Sequence, residues 1–183
     1  MRPSVISRLL LSALLLLPLA AAATTEAHPG TPGGYITDWT LCGPWVSGPD
    51  MLYIDYLQAV GGEAEARLKP GTKLQRPDGE IVGCESHVAA NEGHVNLGKL
   101  VNPTGESRKT RRRVGYAYTE IERAQAGRGF LAMGGEDQGA IWLNGEFVHL
   151  SLASRYYKPF QEIFPVEFAK GTNRILVKGG RRC

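Results

Sequence analysis

Apolar and polar positions along the chain fall into three kinds of pattern. The first is a single long apolar run, Leu9 to Leu19, broken only by Ser12, Ala13 and Pro18. Arg2 and Arg8 precede it and the small residues Ala20 to Ala23 follow. A charged start, an apolar middle and a small-residue end make a secretory signal, so residues 1–23 are expected to be removed on export. A membrane-spanning helix needs about 20 apolar residues, which this run and every later stretch lack. No membrane insertion of the mature chain is expected.

The second pattern is period-two alternation, the mark of strands with two unlike faces. Tyr35 to Cys42 makes a first strand, stopped by Gly43-Pro44. Val114 to Ile121 alternates large and small residues. Arg128 to Met133, Glu162 to Phe168 and Asn173 to Lys178 are further strands. Ala140–Leu143 and Glu146–Leu150 flank Asn144-Gly145, a pair that tolerates positive φ at both central positions of a type I′ turn and so predicts a hairpin. Short strands linked by frequent turns predict an all-β antiparallel sandwich. The third pattern occurs once. Tyr53, Tyr56, Leu57 and Val60 fall at helical spacing after Asp50, with Gly61-Gly62 as the stop, and predict one short helix. Pro70-Gly71 and Pro77-Asp78-Gly79 mark turns. Residues 24–34 read as a linker, and no pattern assigns 84–105.

Composition narrows the class. The chain has 183 residues, 43% hydrophobic and 21% charged, which excludes a disordered tail. Its 23 glycines and 11 prolines demand many turns. Loss of residues 1–23 removes two arginines and no acid, so the net charge falls from +3 to +1 and argues for no polyanionic partner. Arg108-Lys109-Thr110-Arg111-Arg112-Arg113 is the one basic concentration. It lacks interleaved aromatics, reads as a solvated loop, and predicts no nucleic-acid partner. Three cysteines in an exported chain permit one disulfide. Cys42 with Cys84 is favoured because Cys183 is the last residue, and three free thiols are the alternative. His87 and His94 have no third ligand at zinc spacing. No Gly-x-Ser-x-Gly elbow or phosphate loop is present, so no enzyme is expected.

Gly135-Glu136-Asp137-Gln138-Gly139-Ala140-Ile141-Trp142-Leu143-Asn144-Gly145-Glu146-Phe147-Val148-His149 resembles a signature of galactose-binding-domain-like jelly rolls of secreted bacterial proteins, G-S-D-D-G-x-x-V-W-L-N-G-x-x-V-H. The run Pro165 to Lys178 is similar to their closing P-V-x-L-x-K-G-x-N-x-L-L-V-K. Ile36 to Trp45 is similar to their opening I-x-D-W-L-V-x-G-P-F. The resemblance implies a sandwich domain over residues 35–178, with 179–183 as a tail. Members continue into one more strand, so an open sheet edge is expected. Glu136 and Gln138 depart from the signature.

Related lectin-like jelly rolls hold Ca²⁺ on an acidic pair at this place, which makes Glu136 and Asp137 candidate ligands of a structural Ca²⁺. The alternative is a loop whose acid caps backbone amides. Trp142 lies opposite Ile141 and Leu143, so either it stacks on a sugar ring or it packs under a covering loop. Arg155, Tyr156 and Tyr157 lie in the loop after the hairpin, where a sandwich rim offers a ligand mouth. The expected function is non-catalytic recognition, with carbohydrate as ligand and Trp142, Arg155, Tyr156 and Tyr157 as contact residues. The alternative is a structural module that packs against a larger extracellular enzyme or assembly partner. Location is expected to be secreted or periplasmic.

Overall fold

The computed structural model describes His28, Pro29 and residues 34–181, apart from 49, 77, 90–92, 98, 99 and 101–111. The signal segment, most of the linker, Cys183 and residues 108–111 of the basic run therefore lie outside the described residues. The fold is an all-β antiparallel sandwich. Its strands are β1 (His28–Pro29), β2 (Asp38–Ser47), β3 (Lys73–Gln75), β4 (Ile81–Val88), β5 (Arg112–Arg123), β6 (Gly127–Met133), β7 (Gln138–Leu143), β8 (Glu146–Ser151), β9 (Glu162–Phe168) and β10 (Gly171–Arg181). The large sheet runs β3-β4-β2-β5-β10-β7-β8, all antiparallel, with β1 added in parallel along β5. A second sheet is the antiparallel pair β6-β9.

Period-two alternation gives the large sheet two apolar faces and so two cores. Ile141, Leu143 and Ile175 point toward the small sheet and pack with Phe164, Val166 and Phe168. Trp142, Tyr116, Tyr118 and Leu176 point the opposite way and pack with Met51, Leu52, Leu57 and Leu68. The segment 50–68 thus lies as a strap across the second face. Cys42 and Cys84 are directly opposite each other on β2 and β4, and their sulfurs are bonded beneath this strap. The β7-β8 turn has Asn144 at φ 54 and Gly145 at φ 91, as the Asn-Gly pair predicts.

The helix expected over Asp50–Val60 does not form. A 3-10 turn occupies Gln58–Val60, and one α-turn, α1, occupies Gly62–Glu65. Gly61, left-handed at φ 96, ends the 3-10 turn as expected, and Gly62 begins α1. The cause is competition for backbone groups. Lys178 Nζ donates to Leu52 O at 3.0 Å and to Ile54 O at 2.6 Å. The Asp55 carboxylate accepts from the amides of Leu57 at 2.8 Å and Glu63 at 3.1 Å. Groups that a helix would pair with one another are paired with side chains.

Two boundaries also move. Gly179–Arg181, read as tail, are the end of β10. The last strand is paired on both sides, with β5 and with β7, and the edges of the large sheet are β3 and β8. His28–Pro29, read as linker, pairs with Ile121–Glu122 of β5.

Candidate functional site

The hairpin β7-β8 delivers the first elements of a polar cluster. His149 and Ser151 are two apart on β8, so both face the small sheet. Glu162 opens β9 on that sheet and reaches across to them. Ser151 Oγ donates to Glu162 Oε1 at 2.7 Å, and His149 Nε2 bonds Glu162 Oε2. The loop 152–161 that joins the two strands returns Arg155, whose Nη2 donates to Glu162 Oε1. The His149 ring stacks flat on Phe164, two residues further along β9, at 4.1 Å between centroids. Burial pushes the Glu162 carboxyl up, but hydrogen bonds from His149, Ser151 and Arg155, with the Arg155 charge, together hold it below its ordinary range. Ser151 therefore shares Glu162 Oε1 with Arg155, while His149 takes the other carboxylate oxygen.

A second loop, 134–137, locks the first in place. Arg155 N donates to Glu136 O at 2.8 Å, and Gly135 N donates to Gln161 Oε1 at 3.2 Å. Gln161 Nε2 donates back to Tyr156 O at 2.7 Å. Gly134 packs so closely that a Cβ there would lie 2.0 Å from Lys158 O.

Aromatic rings gather over this frame. Phe160 stacks on Tyr35 at 5.5 Å and 22°, and Tyr157 lies 4.8 Å from His94. Tyr156 is 91% exposed and Phe160 50% exposed. Phe160 holds φ 57, a left-handed conformation uncommon for a non-glycine residue and frequent at ligand-contacting loops. The result is a surface of exposed rings beside a fixed, charge-balanced polar group.

Arg155, Tyr156 and Tyr157 therefore come together at one rim. Trp142 does not join them. Its side chain points to the strap side, it is 8% exposed, and it packs edge-on against Phe147. Of the two expectations for Trp142, the packed one holds, because Ile141 and Leu143 take the face toward the small sheet. Glu136 is exposed and Asp137 half-buried, and among the described residues no group of three or more His, Cys, Asp or Glu is placed to hold a metal. His149 closes the signature quoted above, which is its signal in the sequence. Tyr35, His94, Ser151, Phe160 and Glu162 join the site only in the fold. Three aromatics within residues 156–160 are the signal for Phe160. The others come from separate segments and have none.

No family model, no curated protein and no solved structure matches this chain.

Proposed function

We propose that this chain is an exported, non-catalytic recognition domain that binds carbohydrate at the rim formed by loops 134–137 and 152–161. The reading rests on one observation: Tyr156, Tyr157, Phe160 and Tyr35 present exposed rings beside the Arg155–Glu162–His149–Ser151 cluster. A sugar has an apolar face of C–H groups and a rim of hydroxyls. Exposed rings offer large contact area at little entropic cost, and fixed polar groups offer hydrogen bonds. The resemblance to galactose-binding-like jelly rolls and the signal pattern of residues 1–23 point the same way. A glycan array on the mature protein, with and without Ca²⁺ chelation, tests the reading. Tyr156→Ala and Phe160→Ala are expected to abolish binding while the far-ultraviolet circular dichroism stays unchanged. An array with no hits for the wild-type protein would overturn it.

A second reading, an accessory module without its own ligand, has its own support. The outer face of β6-β9 carries Phe130, 72% exposed, opposite Pro165, and Ile163, 63% exposed, opposite Ala132. Such a patch suits a protein partner. Co-purification with a larger secreted enzyme, lost on Phe130→Ser and kept on Tyr156→Ala, would favour it.

A further inference from the structure

The strap face carries a second concave site. An open-sided cleft of about 530 Å³ lies between the turn 54–59 and the turn after β3, lined by Ile54 to Tyr56, Gln58, Ala59, Gln75, Arg76 and Gly79. Its volume falls within the roughly 300–1,000 Å³ of small-molecule sites. It is built from the strap, on the opposite side of the large sheet from the rim described above.

Both walls are fixed before any ligand arrives. On one side Lys178 Nζ holds the carbonyls of Leu52 and Ile54, and Asp55 holds the amides of Leu57 and Glu63. On the other, Arg76 bonds Glu80 and lies 2.6 Å from Asp78 Oδ2, while Arg76 N donates to Glu80 O at 2.7 Å. Preorganised walls cost little ordering on binding.

The charged groups of the cleft are committed to these bonds. The primary amides of Gln58 and Gln75 are exposed, and neither has a hydrogen-bond partner among the described residues. Each amide offers two donors and one acceptor, the set that a vicinal pair of hydroxyls satisfies. Ile54, Ala59 and Tyr56 supply the apolar part of the lining. Arg76, the one cation among the lining residues, is paired with both Asp78 and Glu80, and Asp55 adds a carboxylate to the lining, so the cleft offers no uncommitted positive charge to an anion. We infer that this cleft is a separate binding site for an uncharged, hydroxyl-rich ligand, a neutral saccharide unit held by Gln58 and Gln75 over Tyr56.

The inference is independent of the rim, and residue-resolved NMR keeps the two apart. The probes are neutral hexasaccharides of β-1,4-linked glucose, xylose or galactose, and a galacturonate hexamer as the anionic arm. Titration runs to about 10 mM, where a site with a Kd near 1 mM is about 90% filled. At least one neutral probe is expected to move the side-chain NH₂ signals of Gln58 and Gln75, and the galacturonate hexamer is expected to leave them in place. The double variant Gln58→Ala/Gln75→Ala, both exposed positions, is expected to weaken binding at the cleft at least tenfold, read from the Ile54 and Ala59 amide signals. It should leave any titration of the Tyr156 amide unchanged. Shifts at Tyr156 with none at the cleft would overturn this inference and leave the rim reading intact. Equal shifts with galacturonate would overturn the neutral class, and silence at both places would overturn both readings.

Discussion

The Lys178 ammonium lies 2.7 Å from Glu63 Oε1, although the two residues are 115 apart in sequence. Lys178 is fully buried at the centre of the large sheet, and Glu63 belongs to α1 of the strap. Tyr116 Oη donates to the same carboxylate oxygen at 2.6 Å, and the rings of Tyr56 and Tyr116 flank the ammonium at 5.2 and 5.6 Å. One cation therefore ties the strap to the sheet through the Glu63 carboxylate, two carbonyls and the Tyr56 ring, with the Tyr116 ring of β5 on its other flank. Removal of one member of a buried pair leaves an uncompensated charge, at a cost of about 3–5 kcal/mol. Glu63→Gln is expected to lower urea stability by that amount. The double variant Glu63→Gln/Lys178→Met is expected to recover part of the loss, because no charge then remains buried. A Glu63→Gln protein within about 0.5 kcal/mol of wild type would refute the latch.

The same cluster governs behaviour at alkaline pH. Burial, joined by the charges and hydrogen bonds of Glu63 and Glu120, pushes the phenols of Tyr116 and Tyr118 well above their ordinary 10.0. Above pH 10 the unfolded chain loses these protons and the folded chain keeps them. The stability they contribute is complete below pH 10 and is lost as pH rises beyond it, by about 1.4 kcal/mol per pH unit for each tyrosine. Lys178 acts in the opposite sense. Burial, only partly offset by Glu63, holds it below its ordinary 10.5, so its contribution rises with pH and is complete by 10.5. Beyond that value the tyrosines alone set the slope. Unfolding followed from pH 10.5 upward should show it, and Tyr116→Phe should halve it. Tyrosinate absorbance that saturates before unfolding would contradict the account.

Glu162 gives the acid counterpart at the rim. Its carboxyl is held below the ordinary 4.5, so its stabilisation is complete above that value and is lost as pH falls through the lower folded one. Glu162→Gln reproduces the protonated state at neutral pH. It leaves Arg155 without its carboxylate, so a loss of about 2 kcal/mol is expected, the scale of a charge-assisted bond. Loop 152–161 should then open, with increased hydrogen exchange at Tyr156 and Tyr157. Unchanged exchange in Glu162→Gln would show that the loop is held by other contacts.

The Asn144-Gly145 turn, the opposition of Trp142 to Ile141 and Leu143, and the strand Val114–Ile121 follow from local periodicity, and the structure contains all three. The strap reads as a helix in sequence because Tyr53, Tyr56, Leu57 and Val60 have helical spacing, while the groups that defeat the helix are remote. No local signal announces that a lysine 124 residues beyond Ile54 will take its carbonyl. Strand β4 carries little local signal because only Val82 and Cys84 of its residues are buried in the core, while Glu85 to Val88 read as polar surface with a lone valine. At the rim, Arg155, Tyr156 and Tyr157 were visible as one cluster in sequence. Tyr35, His94 and Glu162 reach it from three other segments, and only the fold brings them there.

The closeness of loops 134–137 and 152–161 makes Gly134 the most sensitive position of the rim. A Cβ at this residue would lie 2.0 Å from Lys158 O and 3.2 Å from the Tyr157 ring, and a backbone carbonyl cannot turn aside as a flexible side chain can. Gly134→Ala must separate the loops, which pulls Arg155 N from Glu136 O and Gly135 N from Gln161. Overpacking of this kind costs about 1–3 kcal/mol. The expected result is a lower Tm together with loss of glycan binding and loss of the Tyr157–His94 contact, seen as changed ring signals by NMR. Gly83→Ala is the control, since a Cβ there meets nothing within 4 Å, and its stability should stay within about 0.5 kcal/mol of wild type. If Gly134→Ala keeps the wild-type Tm and binding, the two loops are not in contact as described, and the rim loses the frame that holds its aromatic surface.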